Sequence, residues 1–216
     1  YLDFIAERSL SWSYLKYPYY KPFGFEKGIY RFGPLARLNV ASQMKTPLAQ
    51  KEFENYKEMC NGKPMHGTFY YHYTRLIECL SDVEDAERIL NDPEVTSLHI
   101  QNFGRWNYDE GIGSSEAPRG TLFHHYKTDS TGKLLMVNLL IATGQNNPSM
   151  NHSVLEVARQ YVKGDNIQEG MLNRVESTIR CYDPCLSCST HALGQMPMQI
   201  EVLDAGGELI KSVERN

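Results

Sequence analysis

The sequence predicts a mainly helical α+β fold: a long-helix bundle, one β-hairpin beside a metal site, and wrapping loops. Three stretches predict it. Apolar residues recur at helical spacing from Phe69 to Val83, and two apolar strands flank a polar turn between Thr121 and Ala142. A helical pattern through Leu172, Val175 and Ile179 then runs straight into a cysteine cluster.

In chain order, residues 1–40 are dense in aromatics and prolines, among them Trp12, Tyr17, Pro18, Tyr20 and Pro22. Proline biases the residue before it to extended geometry, so Lys16 to Phe25 reads as a wrapped loop. Gly28 to Phe32 reads as a short strand, ended by Gly33-Pro34. Thr46 followed by Pro47 opens a helix that runs to about Met59, before Asn61-Gly62-Lys63-Pro64 breaks it. From His66 to Leu90 the pattern is a long amphipathic helix with Phe69, Tyr73, Leu76, Leu80 and Val83 facing inward. Residues 102–120 read as a glycine-rich approach enclosing Glu116-Ala117-Pro118-Arg119.

Next comes the hairpin. Thr121 to Lys127 and Leu134 to Ala142 are its strands, and Thr143 to Pro148 stops the second one. A helix starts at Pro148 or Ser149, with Met150, Val154, Val157, Ala158 and Tyr161 on one face. The shorter helix after Gly170 delivers the chain to Cys181. Ile200 to Leu203 and Leu209 to Lys211 read as a separate small hairpin.

Totals exclude several functions. Hydrophobic residues make up 41% and charged ones 22% of 216 residues, the balance of a globular core-forming chain. A net charge of −4, with no Lys/Arg stripe, argues against nucleic acid. No apolar run approaches the ~20 residues of a membrane span. No leader peptide is visible, which places the protein in the cytoplasm as an expectation. Five cysteines, an odd number, point to metal or redox chemistry and not to a disulfide framework.

Cys185-x-x-Cys188-x-x-His191 carries that chemistry. A C-x-x-C turn brings two thiolates onto one soft cation, and the helix before it holds the backbone. The spacing fits a structural zinc site, a thiol redox motif, or a catalytic metal site completed from elsewhere. A structural zinc usually needs a second ligand pair, which the chain lacks. Spacing alone leaves these readings open. Cys60, Cys79 and Cys181 read as packed, inert thiols. Arg119 beside Glu116 reads locally as an ion pair, and Arg31 and Arg37 as anchors of loops or of a subunit interface. One of His124 and His125 should face inward, and Thr143 reads as a strand-end turn residue.

Longer motifs narrow the choice. Asp183-Pro184-Cys185-Leu186-Ser187-Cys188-Ser189-Thr190-His191 resembles the C-terminal signature of nickel-iron hydrogenase large subunits. Glu116-Ala117-Pro118-Arg119-Gly120-Thr121-Leu122-Phe123-His124-His125-Tyr126 resembles that family's arginine-bearing motif. Gly28-Ile29-Tyr30-Arg31-Phe32-Gly33-Pro34-Leu35-Ala36-Arg37-Leu38-Asn39 and Asn138-Leu139-Leu140-Ile141-Ala142-Thr143 resemble two more, in the same order. The wording, with Ala192-Leu193-Gly194-Gln195-Met196-Pro197 after the histidine, is most like the soluble group: NAD-linked bidirectional enzymes and viologen- or heterodisulfide-reductase-associated ones.

The resemblance implies a nickel-iron centre with carbonyl and cyanide ligands on iron, reversible heterolytic cleavage of dihydrogen, and electrons leaving through iron-sulfur clusters of a partner small subunit. Cys185 would be a terminal nickel thiolate, Cys188 a bridging thiolate, and His191 with the Leu139 carbonyl would hold magnesium. Arg119 would stand over the open metal positions as a hydrogen-bond donor or proton acceptor, with Pro118 and Asp183 completing that canopy. Thr143 would donate to a cyanide. The family's first C-x-x-C motif is absent, so residues 1–191 resemble the C-terminal part of the catalytic domain, to be completed by the N-terminal half of the large subunit. Residues 192–216 resemble the extension that a maturation protease removes. A diaphorase or heterodisulfide-reductase-type subunit would accept the electrons. A hydrogenase-derived scaffold subunit of the complex I type is the non-catalytic alternative, against which both Cys185 and Cys188 count.

Overall fold

The computed structural model of the chain describes residues 1–11, 13, 15–104, 107–164, 167–186 and 198–215. An antiparallel ribbon comes first: β1 (Ile5–Ser9) pairs with β2 (Lys16–Tyr20), placing Glu7 opposite Pro18. The loop expected from Lys16 onward is therefore a strand. Pro18 has no N–H to donate, and a two-stranded ribbon leaves it an outer edge where none is required. A 3-10 turn (Lys21–Phe23) and α1 (Gly24–Lys27) follow.

Residues 28–33 form no regular strand, contrary to expectation. Their polar groups are satisfied by side chains instead: Phe32 N–H donates to Asn146 Oδ1 at 2.7 Å, and Tyr30 hydroxyl donates to Gln145 Oε1 at 2.8 Å. Gly33, at φ 96°, then turns the chain into α2 (Pro34–Val40), where Pro34 takes the first position. This helix has no counterpart in the pattern reading.

α3 (Pro47–Met59) starts after Thr46, as expected. α4 (Tyr70–Leu90) ends where expected but starts after Phe69 and not near His66, and its phase differs: of the five residues read as inward, Tyr73 and Leu80 pack against the core. Tyr71, Thr74, Ile77 and Ser81 are buried, whereas Phe69, Leu76 and Val83 are 58%, 66% and 67% exposed. The buried face packs on α2 and α3, in a core with Leu35, Leu38, Phe53 and Tyr56. Polar members enter because they are bonded: Tyr71 hydroxyl donates to Phe32 O at 2.8 Å, and Thr74 hydroxyl to Tyr70 O at 2.9 Å.

A three-stranded antiparallel sheet follows, ordered β3 (Glu110–Ala117), β4 (Gly120–Thr128) and β5 (Leu134–Leu140). The β4–β5 hairpin is the expected one. Its turn is held by Asp129, whose Oδ1 accepts from the N–H groups of Thr131 and Lys133 at 2.8 and 3.0 Å. β3 replaces the expected glycine-rich approach. It is an exposed edge strand in which Gly111 and Gly113 offer no side chain to show the alternation.

α5 (Ala142–Tyr161) begins directly after β5, so residues 143–148 are helix and not a stop signal. Pro148 lies within it and has no N–H for the Gly144 carbonyl. The face with Met150, Val154, Val157, Ala158 and Tyr161 is at least partly buried, as expected. α6 (Glu169–Cys181) packs on α5 and buries Leu172, Val175, Thr178 and Cys181. The last two strands, β6 (Met198–Leu203) and β7 (Leu209–Arg215), pair with each other as the expected small hairpin. The fold is thus α+β, with helices and small sheets. Among the described residues no helix is long and apolar enough to cross a membrane.

Candidate metal centre

Three chain segments meet at one place: the β3–β4 turn, the start of α5 and the end of α6. α6 stops at Cys181, and Tyr182 closes it in helical geometry. Asp183 then swings into the left-handed region at φ 49°, its N–H bonded to Arg180 O at 3.0 Å. This is how a helix reverses into a loop, and Pro184 bars any continuation. The reversal presents both the carbonyl and the carboxylate of Asp183 to Arg119.

Arg119 occupies the tip of the β3–β4 hairpin, where Ala117 faces Gly120 and only Pro118 and Arg119 lie between. Its Nε donates to the Asp183 carbonyl and lies 3.1 Å from Oδ2, while Nη2 donates to Oδ1 at 3.4 Å. The two side chains are 39% and 44% exposed, so the pair contributes little stability in itself. Its value is orientation. Pro118 and Asp183 line one groove of about 640 Å³ together with Arg37 and Glu78.

Two residues beyond Asp183, the Cys185 N–H donates to Thr143 Oγ1 at 3.2 Å. Thr143 is the second residue of α5 and buried. With its oxygen accepting, the hydroxyl proton is left to donate to another group. Cys185 is half-buried and its sulfur is disulfide-bonded; the form that binds a metal is the reduced thiolate. Leu139 lies in β5 opposite His124, on the strand that leads into α5. Cys188 and His191 lie outside the described residues. Among the described residues no group of three or more His, Cys, Asp or Glu side chains is placed to hold a metal ion.

Cys185, Thr143, Arg119, Asp183 and Pro118 are therefore brought together from three parts of the chain. Glu116 does not pair with Arg119; it lies 3.4 Å from Arg37 Nη1 and accepts from the Thr121 hydroxyl. The other thiols divide. Cys60 and Cys181 are buried as read, but Cys79 is exposed on α4. Burial pushes the Cys181 thiol up to about 11 despite Arg75 nearby, so it is protonated and inert at neutral pH. His125 turns inward and meets Glu110 at 2.7 Å, while His124 is half-exposed.

Pattern reading missed two supporting side chains, the amides of Gln145 and Asn146. Gln145 Nε2 donates to Thr121 O at 2.6 Å and to Leu140 O at 3.3 Å, besides accepting from Tyr30. Asn146 Nδ2 donates to Arg119 O at 3.2 Å. Arg37, read as an anchor, pairs with Glu78 at 2.6 Å and bonds the Ala117 and Pro118 carbonyls. Burial works against its charge, yet the Glu78 bonds and charge, helped by Glu116, hold its pKa above the ordinary arginine value. The only signal for the amides is the Gln145-Asn146-Asn147 run after an apolar strand.

An arginine held by the aspartate two residues before a half-buried cysteine, and a buried threonine bonded to that cysteine's N–H, make up the described part of the site. The comparisons define the class. A family model described as nickel-dependent hydrogenase matches residues 5–191, and the chain belongs to that family. It is 45% identical, over 97% of its length, to the NAD-reducing hydrogenase HoxS subunit beta of Cupriavidus necator, of which it covers 44%. It is 42% identical to a component of the vhc F420-non-reducing hydrogenase of Methanococcus voltae, over 99% of this chain and 46% of that one. A crystal structure of an NAD+-reducing [NiFe]-hydrogenase in the H2-reduced state superposes with a TM-score of 0.80 at 37% identity, over 87% of this chain and 42% of that one. The chain spans under half the length of these relatives.

Proposed function

We propose that this chain is the C-terminal, metal-binding portion of the catalytic subunit of a nickel-iron hydrogenase that cleaves dihydrogen heterolytically and reversibly. The observation that carries the reading is the convergence of Arg119, Asp183 and Thr143 around the Pro184-Cys185 step. These residues fit such a centre by the chemistry of their donors: a thiol for a soft metal, a hydroxyl and a guanidinium for its diatomic ligands, and a half-enclosed setting. When bound, a nickel-iron centre with carbonyl and cyanide on iron polarises dihydrogen and carries its electrons.

The chain's own residues do the rest. Cys185 and Cys188 would hold the nickel-iron centre as thiolates, and His191 with the Leu139 carbonyl would hold magnesium. Arg119 is permanently charged and planar, and the Asp183 carbonyl fixes its Nε. Its outer N–H groups would hold a cyanide, and the Cys185 thiolate would take the proton. Thr143 accepts from Cys185 N–H and would donate its own proton to a second cyanide. Pro118 and Asp183 close the canopy above.

The remaining parts of the reading follow from it. The N-terminal half of the large subunit supplies the other pair of thiolates, and gathers α4 and α5 into a long-helix bundle. The exposed apolar stripe of α4 supports that. A small subunit with iron-sulfur clusters takes the electrons on to a diaphorase or heterodisulfide-reductase-type acceptor in the cytoplasm. Residues 192–216 are the extension that a maturation protease removes once nickel is in place. Metal analysis and infrared spectroscopy of the purified complex test the reading. Nickel and iron in near-equal amounts, with carbonyl and cyanide bands, are expected. Zinc alone without those bands would overturn it.

A further inference from the structure

Arg119 stands at the end of a two-residue turn, and one strand of that hairpin, β3, is an exposed edge. Asp183 orients the Arg119 guanidinium from one end. The backbone that carries it is held by Arg37 of α2. All five of its N–H donors are engaged. Nε donates to Glu78 Oε1 at 2.7 Å, and Nη2 to Glu78 Oε2 at 2.6 Å, which locks the guanidinium flat against α4. The outward-facing donors then grip the hairpin tip. Nη1 donates to Ala117 O at 2.9 Å and to Glu116 Oε1 at 3.4 Å, and Nη2 to Pro118 O at 2.8 Å.

The tip is gripped from its other side too. Asn146 donates to the carbonyl of Arg119 itself at 3.2 Å. Gly120, at φ 138°, lies so close to the 32–33 backbone that an added Cβ would sit 2.5 Å from Phe32 Cβ. Successive carbonyls at 117, 118 and 119 are thus bonded to two different helices. A hairpin tip has no intrinsic need for this; a tip carrying a side chain that must meet a reacting group does.

We propose that Arg37 is a positioning residue for Arg119: clamped by Glu78, it holds the Ala117 and Pro118 carbonyls and so sets where the Arg119 guanidinium stands. The proposal rests on the reading of Arg119 as the group over the metals. A lysine at 37 keeps the charge but lacks the fork, so it cannot hold Glu78 and two carbonyls at once.

The test uses the full-length subunit in its holoenzyme, with Arg37→Lys, Glu78→Gln, Arg119→Lys and the Arg37→Lys/Arg119→Lys double variant. Arg37→Lys should lower kcat for hydrogen oxidation by about 10–100-fold, with KM and nickel content unchanged. Glu78→Gln, which loosens the fork without removing Arg37, should give a smaller loss of the same kind. The cyanide infrared bands should move in the same direction as in Arg119→Lys, and amide exchange at Arg119 and Gly120 should quicken. The double variant should be no slower than Arg119→Lys alone, because both changes remove one action. A full rate in Arg37→Lys, additive losses in the double variant, or loss of nickel from both Arg37→Lys and Glu78→Gln would overturn the positioning role. A full rate in Arg119→Lys would instead overturn the reading of Arg119.

Discussion

The first two turns of α5 and the outer face of α4 invert the usual relation between polarity and burial. In α5, Thr143, Gln145, Asn146 and Asn147 are all buried, with Gln145 at 0% exposure. On α4, Phe69, Leu76, Val83 and Leu90 recur every seven residues and stand in solvent. The difference lies in partners. The α5 amides bond to the backbone of the 28–33 segment, of β4 and of the Arg119 turn, so their desolvation is offset. The α4 stripe has no element of the described residues against it. Polarity therefore does not decide what is inside this chain; the availability of a bonded or packed neighbour does, and the polar interior lies under the candidate centre.

If the buried amides hold the fold together, removing one should cost more than removing a core aliphatic. Gln145→Ala leaves the Tyr30 hydroxyl and the Thr121 and Leu140 carbonyls short of a partner, and should destabilise the chain by about 4 kcal/mol. Urea unfolding measures it; a cost under about 1 kcal/mol would mean that water replaces the amide and the inversion is only apparent. Ile77→Ala, on the buried face of α4, should cost about 3 kcal/mol by the loss of packed methyl groups. Its neighbour Leu76→Ala should change stability by no more than about 0.5 kcal/mol. Equal effects at 76 and 77 would show that the stripe is covered, by self-association or otherwise, and analytical ultracentrifugation of the same samples would identify that.

These cases show what was legible in the sequence. The helices at Pro47 and Tyr70 were legible because a capping Pro and a repeating apolar pattern are local signals. The phase of α4 was not. Tyr71 and Ile77 compete with Phe69 and Leu76 for the inward face, and only the packing of α2 chooses between them. The Pro118-Arg119-Gly120 segment stood out in the sequence, though within a glycine-rich approach and not as a turn, and the helix that leads to Cys181 was legible from its apolar spacing. Their meeting was not, since it depends on a left-handed Asp183 and a clamp from Arg37, more than 60 residues apart in each case from what they hold. Thr143 was read as a turn residue because Gly144, Asn146, Asn147 and Pro148 are turn formers. In the fold, the Asn146 side chain bonds outward to Phe32 N–H and Arg119 O, and the segment is helix. β3 escaped notice because its glycines erase the alternation that marks a strand.

The smallest effect concerns a polar group that follows the ordinary rule. Glu110 starts β3 at the surface, where its carboxylate takes hydrogen bonds from His125 at 2.7 Å and Lys127 at 3.2 Å. Those bonds hold its pKa below the usual carboxylate value. For a carboxylate depressed in the folded state, the stabilisation is fully present above the unfolded pKa, near 4.5 here, and is lost as pH falls through the lower folded value. Stability should therefore decline on acidification below about pH 4.5, and Glu110→Gln should flatten that part of the curve while leaving the neutral-pH rank of Gln145→Ala and Ile77→Ala untouched. The exposed site screens the pair, so the change should be well below that of either buried variant. An effect as large as Gln145→Ala would mean that the edge strand carries the sheet. The polar interior beneath Arg119 would then be only one of two anchors, and the contrast between surface and buried polar groups would fail.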